Sequence, residues 1–159
     1  MGDQSDANPS ARCHFVGSYR QKVEQKGRIT LPSACRRAMP SGVEGIFMLR
    51  QSPTGPCVQL IPVQEWRRMA TERGALSGAK GRDLVWQQRA LFSQVEESAI
   101  DPKGRIAANP ELLAANGIAG EVLVVGVNRL IELWNPETFF AELERQSAAT
   151  LDVEDLLYG

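Results

Sequence analysis

The chain has 159 residues and a mass of 17.5 kDa, and its 43% of hydrophobic residues can build one ordinary domain, or two small ones around a shared core, which excludes long disorder. Eighteen Lys and Arg against nineteen Asp and Glu leave a net charge of −1, so the overall balance selects no charged partner. Three cysteines, Cys13, Cys35 and Cys57, contain no C-x-x-C spacing, which argues against a zinc ribbon or a disulfide framework and for reduced thiols.

Residues 1–14 are polar, lack the apolar centre of a secretory signal and read as a disordered extension. From Phe15 the chain reads as strand, tight turn at Lys26-Gly27-Arg28, β-prone step, Pro32 and a short helical stretch. Two apolar strands follow, GIFMLR from Gly45 and then CVQLIP, and a helix with Trp66, Met69 and Leu76 at helical spacing and Arg73 off the pattern. The stretch from Gly74 to Asp83 is a helix breaker and reads as a linker; after it Leu84, Val85, Gln88, Leu91 and Phe92 predict one extra helix.

The whole pattern then recurs. Lys103-Gly104-Arg105-Ile106 repeats Lys26-Gly27-Arg28-Ile29 77 residues later, and the flanks VEQKGRITLPSACRRAM and AIDPKGRIAANPELLAA correspond. Strands GEVLVV from Gly120 and RLIELW come next, and a helix with Phe139, Phe140 and Leu143 on its apolar face closes the unit. The predicted organisation is an extension at 1–14, a first repeat at 15–76, a linker and helix at 77–93, a second repeat at 94–148 and an acidic tail at 149–159. Two copies of this size are marginal alone and predict one shared core.

Each KGR turn calls for glycine because a tight hairpin turn favours positive φ. The carboxylates four residues before each arginine, Glu24 and Asp101, are placed to reach back to Arg28 and Arg105, either as a mere brace of the loop or as part of a binding turn. Charge is polarised along the chain: residues 12–37 hold seven cations against Glu24 alone, residues 94–116 hold Lys103 and Arg105 against four carboxylates, and residues 137–159 hold Arg145 against six. A basic surface of this kind attracts the phosphates of nucleic acid; the alternatives are a solvated face, or a surface that meets the acidic tail of a neighbouring subunit.

The doubled [DE]-x-K-G-R-I pattern, preceded by Phe15-Val16-Gly17-Ser18-Tyr19, resembles the MraZ family of bacterial regulators associated with the division and cell-wall gene cluster, from about Phe15 to Leu143. The resemblance implies a mostly β, α+β fold, a pseudo-two-fold pair of AbrB-like swapped-hairpin halves forming a β-barrel. It also implies a cytoplasmic, nucleoid-associated repressor that binds promoter repeats in double-stranded DNA as a homo-oligomeric ring, with no cofactor. The candidate DNA-contact residues are Arg20, Lys22, Glu24, Lys26, Gly27, Arg28, Arg36 and Arg37 in the first copy, and Asp101, Lys103, Gly104 and Arg105 in the second. Glu24 stands where the family has Asp, His14 stands at its usual start, and the acidic surroundings of the second copy predict that the first engages DNA more strongly.

Other chemistries find less support. The single histidine, His14, lies in the extension, so no Ser-His-Asp or Cys-His set can be assembled and no catalytic residue is assigned. Glu96-Glu97 are adjacent and point apart, and the Gly74–Gly81 stretch lacks phosphate-loop spacing. No metal site is predicted, no apolar run spans a membrane, and Trp66, Trp86 and Trp134 read as core. The competing function is an oligomeric scaffold or antitoxin-like protein-binding module.

Overall fold

The computed structural model describes residues 11–40 and 44–149, so the part of the predicted extension at 1–10 and of the acidic tail at 150–159 lies outside the described residues. The order of elements follows the doubled pattern. The first copy comprises β1 (Ser18–Lys22), a turn at Gln25–Gly27, β2 (Arg28–Thr30), α1 (Ser33–Arg37), β3 (Ile46–Gln51), β4 (Val58–Pro62) and α2 (Val63–Ser77). After α3 (Gly81–Phe92) the second copy runs through β5 (Glu96–Ala99), β6 (Arg105–Ala107), α4 (Pro110–Ala115), β7 (Glu121–Val127), β8 (Leu130–Trp134) and α5 (Pro136–Ala149). Eight strands in antiparallel sheets with short helices agree with the predicted class.

The two copies are interleaved rather than set side by side. The six-stranded sheet has the order β1-β7-β8-β4-β3-β5, so the first strand of each copy pairs with a strand of the other. β2 and β6 pair only with each other, Arg28 opposite Ala107, Ile29 opposite Ile106 and Thr30 opposite Arg105. Neither copy can therefore complete its sheets alone, which is the physical reason for one shared core. The sheet is open, with β1 and β5 as its edges, and among the described residues it does not close into the barrel that the resemblance implied.

Alternation along the strands divides the buried side chains into two layers. On the inner face Phe47, Leu49, Val58, Leu60, Val122, Val124, Ile131 and Leu133 pack against Ile29, Ile106, Cys35 and Leu113 from the β2–β6 pair, α1 and α4. On the outer face Leu123, Val125, Trp134 and Cys57 pack with Phe139 of α5. With both faces covered, β4 is buried along its whole length.

Three sequence expectations are corrected. Helix α2 continues through Gly74 to Ser77, so the break narrows to the residues between Ser77 and Gly81, where Gly78 takes a left-handed φ of 67°. Trp66 and Trp134 are core, but Trp86 is 60% exposed because α3 buries none of its residues. Residues 11–14 are docked, not a free extension: Cys13 is fully buried, and the Arg12 guanidinium holds the buried Glu65 carboxylate at 2.6 Å.

The interlock of the copies is tightest at the KGR turns. Ala108 N–H donates to the Gly27 carbonyl and Leu31 N–H to the Gly104 carbonyl, each at 2.9 Å, so each turn is tied to the other copy. At Gly27 φ is +73° and a Cβ would lie 1.9 Å from the Ala108 carbonyl oxygen; at Gly104 φ is +79° and a Cβ would meet only the end of the flexible Arg36 side chain. Gly27→Ala should therefore cost more than Gly104→Ala, which carries only the left-handed penalty of about 1–2 kcal/mol. Urea denaturation of both variants checks this; equal losses would refute the close backbone approach at Gly27.

Candidate nucleic-acid interface

The short β2–β6 pair sorts its side chains by alternation. Ile29 and Ile106 turn into the core, while Arg28, Thr30, Arg105 and Ala107 stand on the opposite, solvent-facing side. Arginines from both copies thus reach one small surface flanked by the two KGR turns.

The second turn is braced as expected. Asp101 accepts the backbone N–H groups of Lys103 and Arg105, both at 2.9 Å, and the Arg105 Nε–H at 2.8 Å. The backbone bond from Arg105 foremost, then the arginine side chain, holds the Asp101 carboxyl below its ordinary range, and the same pairing raises the Arg105 guanidinium.

The first turn differs. Glu24 does not brace Arg28; its carboxylate accepts from the Thr30 hydroxyl at 3.3 Å and pairs with Arg105 at 3.6 Å, across the boundary between copies. The longer side chain of Glu, and a turn in which Lys26 itself takes a φ of 62°, accompany this change of partner. Arg105 is held by two carboxylates, whereas Arg28, among the described residues, has no ion pair.

The remaining candidates are spread more widely. Lys26 and Lys103 are exposed on the turns, and Arg36 and Arg37 are exposed on α1, with the Arg36 Nη1 2.8 Å from the position of a Cβ on Gly104. Interleaving has carried a basic helix of the first copy to the turn of the second, while α4, bearing Glu111, packs on the turn of the first. Arg20 is not part of the cluster: it pairs with Glu121 at 2.7 Å, lies over the Phe140 ring of α5 and shares its strand face with Lys22. Thr30 was missed by sequence reasoning, although strand alternation from Arg28 would have found it.

The thiols are poor nucleophiles, because burial pushes Cys13 up to about 11, Cys57 to about 12 and Cys35 in the same direction. Among the described residues no helix is long and apolar enough to cross a membrane.

No protein-family model matches the chain. It is, however, similar to the transcriptional regulator MraZ of Burkholderia ambifaria (strain MC40-6), 31% identical over 143 residues that cover 90% of this chain and 96% of that protein. The chain belongs to the MraZ family of transcriptional regulators. Proteins of the same name from Burkholderia cenocepacia (strain HI2424) and Paraburkholderia xenovorans (strain LB400) are 31% and 30% identical with the same coverage. Coverage on this scale takes in both KGR copies, so the MraZ likeness extends to the doubled architecture and not to one half of it. Proteins named as transcriptional regulators are generally not enzymes, in keeping with the MraZ membership.

Proposed function

We propose that this protein is a sequence-specific DNA-binding repressor of the division and cell-wall gene cluster, which engages promoter repeats in double-stranded DNA as a homo-oligomeric ring. The observation that carries the reading is the outward face of the β2–β6 pair, where the half-buried Arg28 has no ion pair among the described residues and the turns with the exposed Lys26 and Lys103 lie on either side. A guanidinium free of carboxylates keeps its five donors for phosphate oxygens or the acceptors of a guanine edge, and ammonium groups beside it add contacts that do not depend on sequence. Oligomerisation is supported by the two open sheet edges of unlike character, β1 with Arg20 and Lys22 and β5 with Glu96 and Glu97, which suit a head-to-tail contact. A ring multiplies weak contacts when the DNA repeats match its spacing.

The test is a titration of the protein against a duplex from its own upstream region and a random duplex, over a salt series. The expected result is tighter binding to the upstream duplex and a log K that falls with log salt by about 0.9 for each phosphate contact. Weak, salt-insensitive binding that is equal for both duplexes would refute the reading and favour an oligomeric protein-binding module.

A further inference from the structure

Helix α3 differs from the other four helices, because none of its residues is buried. Phe92, Val85, Arg89, Arg82 and Trp86 fall, at 100° per residue, within an arc of about 120° of its circumference. Val85, Trp86 and Phe92 are 42%, 60% and 47% exposed, and the Arg89 guanidinium lies 4.5 Å from the centre of the Trp86 ring. Among the described residues neither Arg82 nor Arg89 has a carboxylate partner. The arc is both apolar and cationic, and its occupant should therefore be both apolar and anionic.

The chain itself contains such a segment. Residues 150–159, TLDVEDLLYG, carry Asp152, Glu154 and Asp155, no Lys or Arg, and the apolar side chains of Leu151, Val153, Leu156, Leu157 and Tyr158. They follow α5, which packs on β7 beside the edge strand β1, whereas α3 leads into β5, the edge at the other end of the sheet. Ten extended residues reach about 33 Å.

We propose that residues 150–159 of one copy dock on the α3 arc of a second copy, their leucines against Val85, Trp86 and Phe92 and their carboxylates on Arg82 and Arg89. The segment follows a helix packed beside the β1 edge of the sheet and its receptor leads into the β5 edge, so the contact is heterologous and can propagate head to tail. This rests on the homo-oligomer reading and specifies a surface for it that is separate from the KGR turns.

The experiment uses the full-length chain with a photo-crosslinking amino acid in place of Val85, irradiated and then digested for mass spectrometry. Crosslinks to residues 150–159, within a species of twice the chain mass on a denaturing gel, are expected. The same crosslinks within a single chain mass would overturn the second-copy assignment, and crosslinks to other segments would overturn the tail as occupant. Reversing the receptor (Arg82→Glu with Arg89→Glu) should lower the yield by about tenfold, and reversing the tail as well (Asp152→Lys with Asp155→Lys) should restore it. A yield unchanged by the first pair, or not rescued by the second, would overturn the charge pairing. Light scattering on the wild-type chain separates the two readings: a monomer removes the oligomer, while an oligomer without these crosslinks removes only the tail contact.

Discussion

Arg28→Ala should weaken binding to the upstream duplex by about 10- to 100-fold, the loss of roughly 1–3 kcal/mol that accompanies removal of a bidentate arginine contact. In an oligomer the loss is compounded, because every subunit presents the same turn. The expectation rests on local pairing. Arg28 has no carboxylate partner among the described residues, so its donors are available, while Arg105 is engaged by Asp101 at 2.8 Å and Glu24 at 3.6 Å. Arg105→Ala is expected to weaken binding as well, but for another reason: it leaves two carboxylates without their cation beside the DNA. Neutralising them, with Glu24→Gln and Asp101→Asn added to Arg105→Ala, should bring affinity back to within about fivefold of wild type, since the repulsion of the DNA phosphates is then gone. No such neutralisation can replace a donor lost at position 28. Anisotropy titrations on upstream and random duplexes at several salt concentrations distinguish the roles. A reduced salt slope on both duplexes marks Arg28 as a phosphate contact, and a preference lost with the slope retained marks a base contact. Wild-type affinity in Arg28→Ala would rule out this turn as the DNA-binding element.

Deleting residues 1–13 should destabilise the fold by about 3–5 kcal/mol, the scale for removing one of two cations from a buried carboxylate together with a buried core side chain. Glu65 on α2 is 1% exposed and is held by Arg12 at 2.6 Å and by Arg68 at 3.1 Å. The deletion also removes Cys13 from the core, the Ala11 carbonyl that accepts from the Gln64 amide at 3.0 Å and the Cys13 carbonyl that accepts from Arg129 at 2.8 Å. These contacts bind the first described residues to α2 and to the β7–β8 turn, so the segment works as a strap across both copies. Deleting residues 1–10 leaves all of them in place and serves as the comparison. Urea denaturation of the two shortened chains decides the matter, and equal stability would show that Arg12 and Cys13 contribute nothing. Glu65 keeps Arg68 in the chain lacking residues 1–13, so replacing both by apolar residues of similar size (Glu65→Leu with Arg68→Met) should recover part of the loss, because the incompletely paired buried charge is then gone.

Much of this architecture was legible in the amino-acid sequence because it is written in local chemistry. Short apolar runs marked β3, β4, β7 and β8, helical spacing marked α2, α3 and α5, and two glycines after lysines marked turns that need positive φ. Recurrence of the pattern after 77 residues announced two equivalent units sharing a core, and the doubled motif identified the family. Residues 11–14 were misjudged because one buried cysteine and one arginine make no periodic signal, and Trp86 because a helical pattern does not show whether anything covers the face it defines.

What only the tertiary structure decided is which residues of one copy stand beside those of the other. Pairing of β1 with β7 and of β3 with β5 interleaves the copies, so charge counted along the chain is not charge found in space. Arg36 of the basic first copy lies against Gly104 of the acidic second, and Glu24, four residues from Arg28 in sequence, pairs with Arg105 instead. The physical reason is that Coulomb and hydrogen-bond energies depend on distances of a few ångströms, and strand pairing between segments some eighty to a hundred residues apart sets those distances. Sequence by itself determined the kinds of turn, strand and helix and the identity of the family; the exchange of strands determined that Arg105 is held by two carboxylates while Arg28 has none among the described residues.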